Sequence, residues 1–532
     1  MLFLLFFSAG CSGVDKEART LLNDVKKLYS EGKELEKTSY SDALKKYVEA
    51  SVKLDMITSR YPESGIARDL SSGKEKLDTI TADEFGNKFI PSIKFKADAE
   101  ASPAACALLY IPDIKDPSVK TAAVVKTARS YFVEGSRDKA KMLLGQAVEI
   151  AEKHKTTGRF PPYLTGLRPP MAEAAAGYCA CGMVYKALHI IEKVNDPFYK
   201  SVVLADIGIK LHEQKKTAEA LKVLKKASVA VEYEKDLTYR TFTLLAVAKA
   251  FIKTGNPIDG EAKLKEAAKL NGIQDSVSDR ILVLKDIALA YSDMGKKTEA
   301  VKFLGQAEKF INKEKNTPWK AFLQYVASIN YAEIGMPDKA VKLALEIKDD
   351  TEINRSLLMI EEKTDKNNID EKAKVLKIAL DQANRVKDSA SKSFCIANIG
   401  EAYAKEDIKD SALKLIEESE KTAMEIKDKN RKSFAMAKIA QAYAMAGKPE
   451  KTEEIVDSFS DKTNREELLT EIALVLAENK KYDSALLITE KIAEPANKAE
   501  VLAAVALKMA ENKYKPNENI LKSLHVIAGQ AK

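Results

Sequence analysis

The sequence predicts an all-α chain, an α-solenoid of stacked helical hairpins, on three observations. The composition is helical: 532 residues contain only 22 Gly, 16 Pro and a single Trp, with aromatics at 7% and charged residues at 31%. A strand-rich chain needs more turn formers and more β-branched and aromatic residues, and 45% hydrophobic residues exceed what a disordered chain carries. Apolar residues also recur at helical spacing along nearly the whole length. Finally, one pattern returns every 33 to 40 residues from about residue 118 onward, with a single longer step of 47 from Tyr131 to Tyr178, the mark of a repeat architecture.

The repeat has a definite frame. An anchor residue falls at Tyr131, Tyr178, Leu211, Phe251, Tyr291, Tyr331, Thr364, Tyr403, Tyr443, Leu476 and Met509. Three residues before the anchor stands Ala, Gly or Ser, with Glu361 as the exception, and nine residues after it Ala is usual. Small residues at these two places let antiparallel helices approach closely, with the larger anchor filling the space beside them. Gly135, Gly182, Gly255, Gly295, Gly335 and Gly447 fall where the first helix must stop, as left-handed C′ residues. Pro257, Pro337 and Pro449 follow at the start of the second helix, where a fixed φ is pre-organised. Each unit therefore reads as helix, short turn, helix. Six or seven extra residues in the longer units make two helical turns, so the second helix lengthens without rotating its apolar face.

This frame resembles the tetratricopeptide repeat family over about residues 118–532. The resemblance is strong around Tyr131 and Tyr291 and weak at Thr364 and Met509; the family's early Trp is missing. It implies a right-handed α-solenoid of mixed 33- and 40-residue repeats whose concave face binds a protein or peptide. Residues 38–70, ending in Tyr61-Pro62-Glu63-Ser64, resemble the first repeats of outer-membrane assembly lipoproteins. Residues 11–82 read as N-terminal helical hairpins. Residues 83–117 hold Pro91, Pro103, Pro112 and Pro117 and read as an irregular connector, with a short strand around Ser92–Lys96.

The chain opens with MLFLLFFSAGCSG. The apolar run, the small residues and Cys11 resemble the end of a bacterial lipoprotein signal peptide, with residues 1–10 as a truncated signal and Cys11 as the lipid-bearing residue. No basic residue precedes the run, and the run is shorter than the usual signal core. Ser12 after the cysteine resembles outer-membrane sorting, which places the chain at the periplasmic face of that membrane. The alternative is a cytoplasmic adaptor with an incidental apolar tail. Cys106, Cys179, Cys181 and Cys395 read as buried small hydrophobes, since a chain this long builds a core without disulfides.

Candidate partner-binding residues come from two places. Phe242, Phe322, Phe394 and Phe434 share one position of the frame, nine residues before the anchor. In the tetratricopeptide family that position often faces the groove, and burial against the preceding repeat is the competing reading. The insertion FPPYLTGLRPP, with Phe160, Tyr163 and Arg168, could form a stiff extended finger or simply pack over the solenoid edge. A Lys or Arg also recurs eleven residues before the anchor: Lys120, Lys200, Arg240, Arg280, Lys320, Lys392, Lys432, Arg465 and Lys498. It reads as a ladder of pairs at repeat junctions, with Asp275, Asp388, Asp428 and Asp461 as partners. The alternative is a stripe for an anionic envelope polymer, as in an accessory subunit of a polysaccharide or hydrolase system.

Other function classes find no residues to support them. Net charge is +7 from 86 basic and 79 acidic residues, interleaved, without the basic patch of a nucleic-acid binder. The four histidines are scattered, and no metal-ligand spacing or nucleotide or nucleophile motif is present. The sequence therefore predicts no catalytic residues, no metal, no cofactor and no enzymatic activity.

Overall fold

The computed structural model describes residues 3–531 apart from 155–167, 274–275, 316, 366–367 and 460, and describes side chains from residue 13, that of Thr317 excepted. It is helical throughout, with one isolated β-bridge between Leu77 and Ile80 as the extended pairing among the described residues. The eleven predicted hairpins are all present. Their first helices are Pro117–Val133, Pro170–Ala180, Pro197–Glu213, Leu237–Lys253, Val277–Asp293, Thr317–Glu333, Asp350–Lys363, Ser389–Lys405, Lys429–Met445, Lys462–Glu478 and Pro495–Glu511, numbered here as repeats 1 to 11.

The two repeat lengths have the physical basis the sequence suggests. In the 40-residue units anchored at Leu211, Phe251 and Tyr291 the second helices are Thr217–Glu232, Pro257–Asn271 and Lys297–Lys313. In the 33-residue units anchored at Tyr178, Tyr331, Tyr443 and Leu476 they are Val184–Ile191, Pro337–Leu345, Pro449–Asp457 and Tyr482–Lys491. Two helical turns come and go at the far end of the hairpin while the packed end stays constant.

The anchor positions are buried, Tyr403 partly so, and the small residue three before them accounts for the close helix approach. A Cβ on Gly208 would lie 2.5 Å from Leu224, and one on Gly400 would lie 2.7 Å from Ile416. The exception, Glu361, is buried and paired to the ammonium of Lys372 at 2.9 Å. The six turn glycines all have positive φ. In repeats 3, 8, 10 and 11 the same turn position is also left-handed, but it is held by Lys215, Asp407, Lys480 and Lys513.

The aspartates before the first helices are caps rather than partners of the recurrent cation. Asp388, Asp428 and Asp461 accept backbone N–H groups of the first turn, as do Asp116, Asp196, Asp236 and Asp349; Asp275 lies outside the described residues. Four of the cations reach backward to the end of the preceding element, while Arg240 turns forward to Glu266 of its own repeat's second helix. Lys120 donates to the Pro112 carbonyl, Lys200 to Glu192 and Lys320 to Asn312, while Arg465 pairs with Asp457. A cation at a helix C-terminus satisfies free carbonyls and complements the dipole. This bonding ties those members to repeat junctions and leaves the polymer-binding stripe without its observation.

Residues 90–110 are not the irregular connector that their prolines suggest. Ile90–Ala101 and Pro103–Tyr110 are helices, so Ser92–Lys96 is helical, and Pro91 and Pro103 occupy first-turn positions where no N–H is needed. This hairpin has a structural task. The first helix of each repeat packs on that of the next, and that of repeat 11 packs on that of repeat 1. The right-handed array thus closes into a ring. Pro103–Tyr110 packs on Pro495–Glu511, and Ile90–Ala101 packs on the last helix, Glu518–Gln530. Before them, Phe3–Leu35 and Tyr40–Arg60 pair with each other, and Tyr40–Arg60 lies on Ile90–Ala101.

Polar bonds lock the seam. The Tyr110 hydroxyl donates to the Ile527 carbonyl at 2.5 Å. The Glu100 carboxylate accepts the backbone N–H groups of Tyr40 (2.9 Å) and Ser41 (2.7 Å) and meets His525 Nδ1 at 2.9 Å. Cys106, Cys179, Cys181 and Cys395 are buried free thiols, and burial pushes each up, Cys106 to about 12 and Cys181 to about 11.

Candidate partner-binding surface

The first helices of the ring are buried on three sides, by the two neighbouring first helices and by their own second helix. One row of residues on each escapes burial. In repeat 4 it is Tyr239, Phe242, Ala246, Lys249 and Lys253, and the other repeats use the same positions. Spacing of three and four residues puts these on one stripe of a helix. The stripes of neighbouring repeats meet in register: Lys249 pairs with Asp286 of repeat 5 at 3.0 Å, Lys438 with Glu401, and Arg129 of repeat 1 with Glu511 of repeat 11 at 3.6 Å. These stripes line the inside of the ring.

Phe242, Phe322, Phe394 and Phe434 all lie on this inner surface. Phe242 and Phe322 are half-buried against the core, and Phe322 stacks on Trp319 with ring centroids 5.1 Å apart. Phe394 and Phe434, from adjacent repeats, stack at 5.0 Å with planes 17° apart, and Phe434 is 63% exposed. The position is therefore half-buried in three repeats and exposed in the fourth. The difference is local: Phe322 is pressed on by Trp319 three residues before it, whereas the residue at that place before Phe434 is Arg431, which turns to Asp388.

Arg168 also reaches the inner surface, and its role differs from a projecting finger. It lines a cavity of about 310 Å³ between repeats 1, 2 and 3, with Arg129, Glu173, Asp206, Lys210 and Glu213. Its guanidinium meets the Asp206 carboxylate at 3.4 Å. Burial pushes the Glu173 carboxyl up, opposed by the Arg168 and Arg129 charges, and does the same to Asp206, opposed by Arg168 and then by Lys253. Phe160 and Tyr163 lie outside the described residues, as does the Cys11 side chain.

Sequence reading misses this cavity and the contribution of Trp319. It also misses a charge asymmetry. On the inner stripes acidic residues outnumber basic ones about two to one, although the whole chain carries +7. The signal was present, since stripe positions follow from the anchor spacing once the inward direction is known.

No protein-family model matches the chain, and no curated protein matches it. Several solved structures are similar in helical course. Ton1535 from Thermococcus onnurineus NA1 shares 15% identity, covering 63% of this chain and 98% of that one, at a TM-score of 0.29. A Rap protein complexed with competence and sporulation factor shares 14% identity over 62% of this chain and 98% of that one, at 0.25. A circular tandem repeat protein of novel repeat topology shares 10% identity over 97% of this chain and 98% of that one, at 0.16. The assignment rests instead on the chain's own hairpin frame, small-residue contacts and left-handed turns. The chain is a tetratricopeptide-like helical-repeat protein. Its ring closure sets the inner surface apart from an open groove, because the stripe runs on without an end.

Proposed function

We propose that this chain is a non-enzymatic scaffold that holds a protein or peptide partner on the inner face of its ring. A lipid on Cys11 ties it to a cell-envelope membrane, at the periplasmic face of the outer membrane. The observation that carries the binding role is the stacked pair Phe394 and Phe434 on the inner surface, Phe394 half-buried and Phe434 63% exposed. A repeat that needs nothing more than stability can place a polar residue there, as repeats 7 and 10 do with Arg355 and Glu467. Exposed aromatics in one register suit an extended segment whose apolar side chains seat at successive repeats.

Selection of random linear peptides on the purified protein tests the binding role. Peptides with spaced apolar anchors should be enriched, and the double variant Phe394→Ala/Phe434→Ala should bind them at least tenfold more weakly. Equal binding by the variant, or no enrichment, removes the inner face from consideration. The anchor has its own test, the intact mass of protein from bacterial membranes. Loss of residues 1–10 with gain of acyl groups, abolished by Cys11→Ser, is the expected result; an unmodified soluble chain defeats the anchor and leaves the binding role standing.

A further inference from the structure

One member of the recurrent cation series is bonded unlike those whose contacts are described above. In repeats 1, 3 and 6 the cation reaches a carbonyl eight residues before it. In repeat 11 the corresponding carbonyl, that of Glu490, is taken by the Gln530 amide at 3.1 Å. Lys498 is left to the neutral Gln530 Oε1 and to the face of the Tyr110 ring, 5.3 Å from its centroid. Yet Lys498 is only 3% exposed. Among the described residues no carboxylate lies within salt-bridge distance of this ammonium; Glu466 and Glu490 act on it only from further away, and a buried charge without a close partner is costly.

A cavity of about 710 Å³ opens beside Lys498 at the ring seam, separate from the inner stripes. Lys115, Lys491 and Lys498 line it, opposed by Asp113, Glu490 and Glu494. The start of the helix Pro495–Glu511 also borders it, and Glu494 at the cap position makes no side-chain capping bond, where aspartate caps the helix in seven other repeats. The N–H groups of Ala493 and Glu494 at the start of this helix are already taken by the Glu466 carboxylate, so the attraction for an anion rests on Lys498 and its neighbouring lysines.

We propose that this seam cavity binds a small carboxylate bearing hydroxyl or amino groups, with Lys498 as its buried counter-ion. The balanced lining argues for one negative charge rather than several, and the three acidic side chains accept from the ligand's own donors. The ligand would bridge repeat 11 to the element that closes the ring, so occupancy should tighten the seam. Burial depresses the Lys498 ammonium from its ordinary range, and a bound carboxylate would restore it.

The test uses the full chain with lactate, gluconate, serine and inorganic phosphate as probes, against potassium chloride at equal ionic strength. Thermal unfolding and calorimetric titration are followed for wild type, Lys498→Met and Lys200→Met. At least one carboxylate should raise Tm of wild type and Lys200→Met by several degrees, and Lys498→Met should bind it at least tenfold more weakly. Binding of none of the carboxylates, or binding unchanged in Lys498→Met, overturns the site. Phosphate binding more tightly than every carboxylate overturns the ligand class. Should Lys498→Met fail to fold, NMR of the ¹³C-dimethylated wild-type lysines decides: a signal titrating below the others should move upward with the bound carboxylate, and a signal that stays fixed rejects the proposal.

Discussion

The junction between repeats 3 and 4 and the junction between repeats 11 and 1 bring together the same kind of helices by different means. In the first, Pro197–Glu213 meets Leu237–Lys253 after one intervening helix, with Phe198 against Tyr239 at 5.2 Å and Asp236 capping the start of the second of them. In the second, Pro495–Glu511 meets Pro117–Val133 from the other end of the array. Its bonds are one of a kind: Tyr110 to Ile527, Glu100 to His525, Lys498 to Gln530. Interior junctions copy one local solution, in which short loops keep closure entropy low. The seam has to bring distant residues together before any contact rewards it. In return, the array has no terminal repeats whose apolar faces need a polar cap.

The contrast breaks most sharply at Glu100, whose carboxylate accepts two backbone N–H groups and meets His525. Glu100→Ala removes the charged acceptor of those N–H groups, one part-buried and one exposed, and of His525, a loss of about 2 kcal/mol. Urea unfolding gives the total, and hydrogen exchange gives its place: protection should fall first in residues 90–110 and 518–530 while repeats 3 to 6 keep theirs. A uniform loss around the ring would mean that seam and interior are one cooperative unit. The interior counterpart is Gly208→Ala, which drives a methyl into Leu224 and should cost about 1–3 kcal/mol. Its lost protection should be confined to residues 197–232, with the seam unaffected.

A pH series sharpens the same comparison. Lys498 at the seam is buried and its folded pKa lies below the ordinary lysine range, burial being the leading cause. For such a group the folded state is penalised at any pH where the ammonium persists, and the penalty fades as pH rises through the depressed folded value toward the unfolded one. Lys498→Met should therefore be more stable than wild type at neutral pH, by about 1 kcal/mol, and the gap should close as pH approaches 10. The interior cation Lys200, bonded to a helix end and to Glu192 at 3.2 Å, should show the opposite sign when replaced by Met.

These two regions also differ in how far the sequence discloses them. Repeat period, small-residue contacts, turn glycines and the two lengths of second helix were legible, because each is a local consequence of helix geometry repeated many times. The aspartates were seen but misassigned: a carboxylate four residues before a lysine suggests a pair, and only backbone geometry shows that it caps the helix instead. The helices of residues 90–110 were hidden because four prolines imply breaks, whereas Pro91 and Pro103 stand at helix starts. Ring closure was invisible. Nothing in the spacing of Tyr110 or Glu100 announces a partner more than 400 residues away. Of the inner surface, the four phenylalanines were readable from the frame, while the cavity around Arg168 and Glu173 needs three repeats in place at once.

The smallest effects test whether the repeats share one turn. Six first helices end on glycine at positive φ, and four end at the same angle on Lys215, Asp407, Lys480 or Lys513. A side chain in the left-handed region is held there at a cost of about 1 kcal/mol, which glycine avoids, while glycine gives back part of the gain through a freer unfolded chain. Lys480→Gly should therefore stabilise by roughly 0.5 kcal/mol, and Gly255→Ala, where the space for a methyl is open, should destabilise by about 1 kcal/mol. Opposite signs from denaturant titration of the two variants would establish a common backbone turn beneath different residues. Equal signs would show that the lysine side chains at these turns contribute contacts that outweigh the strain.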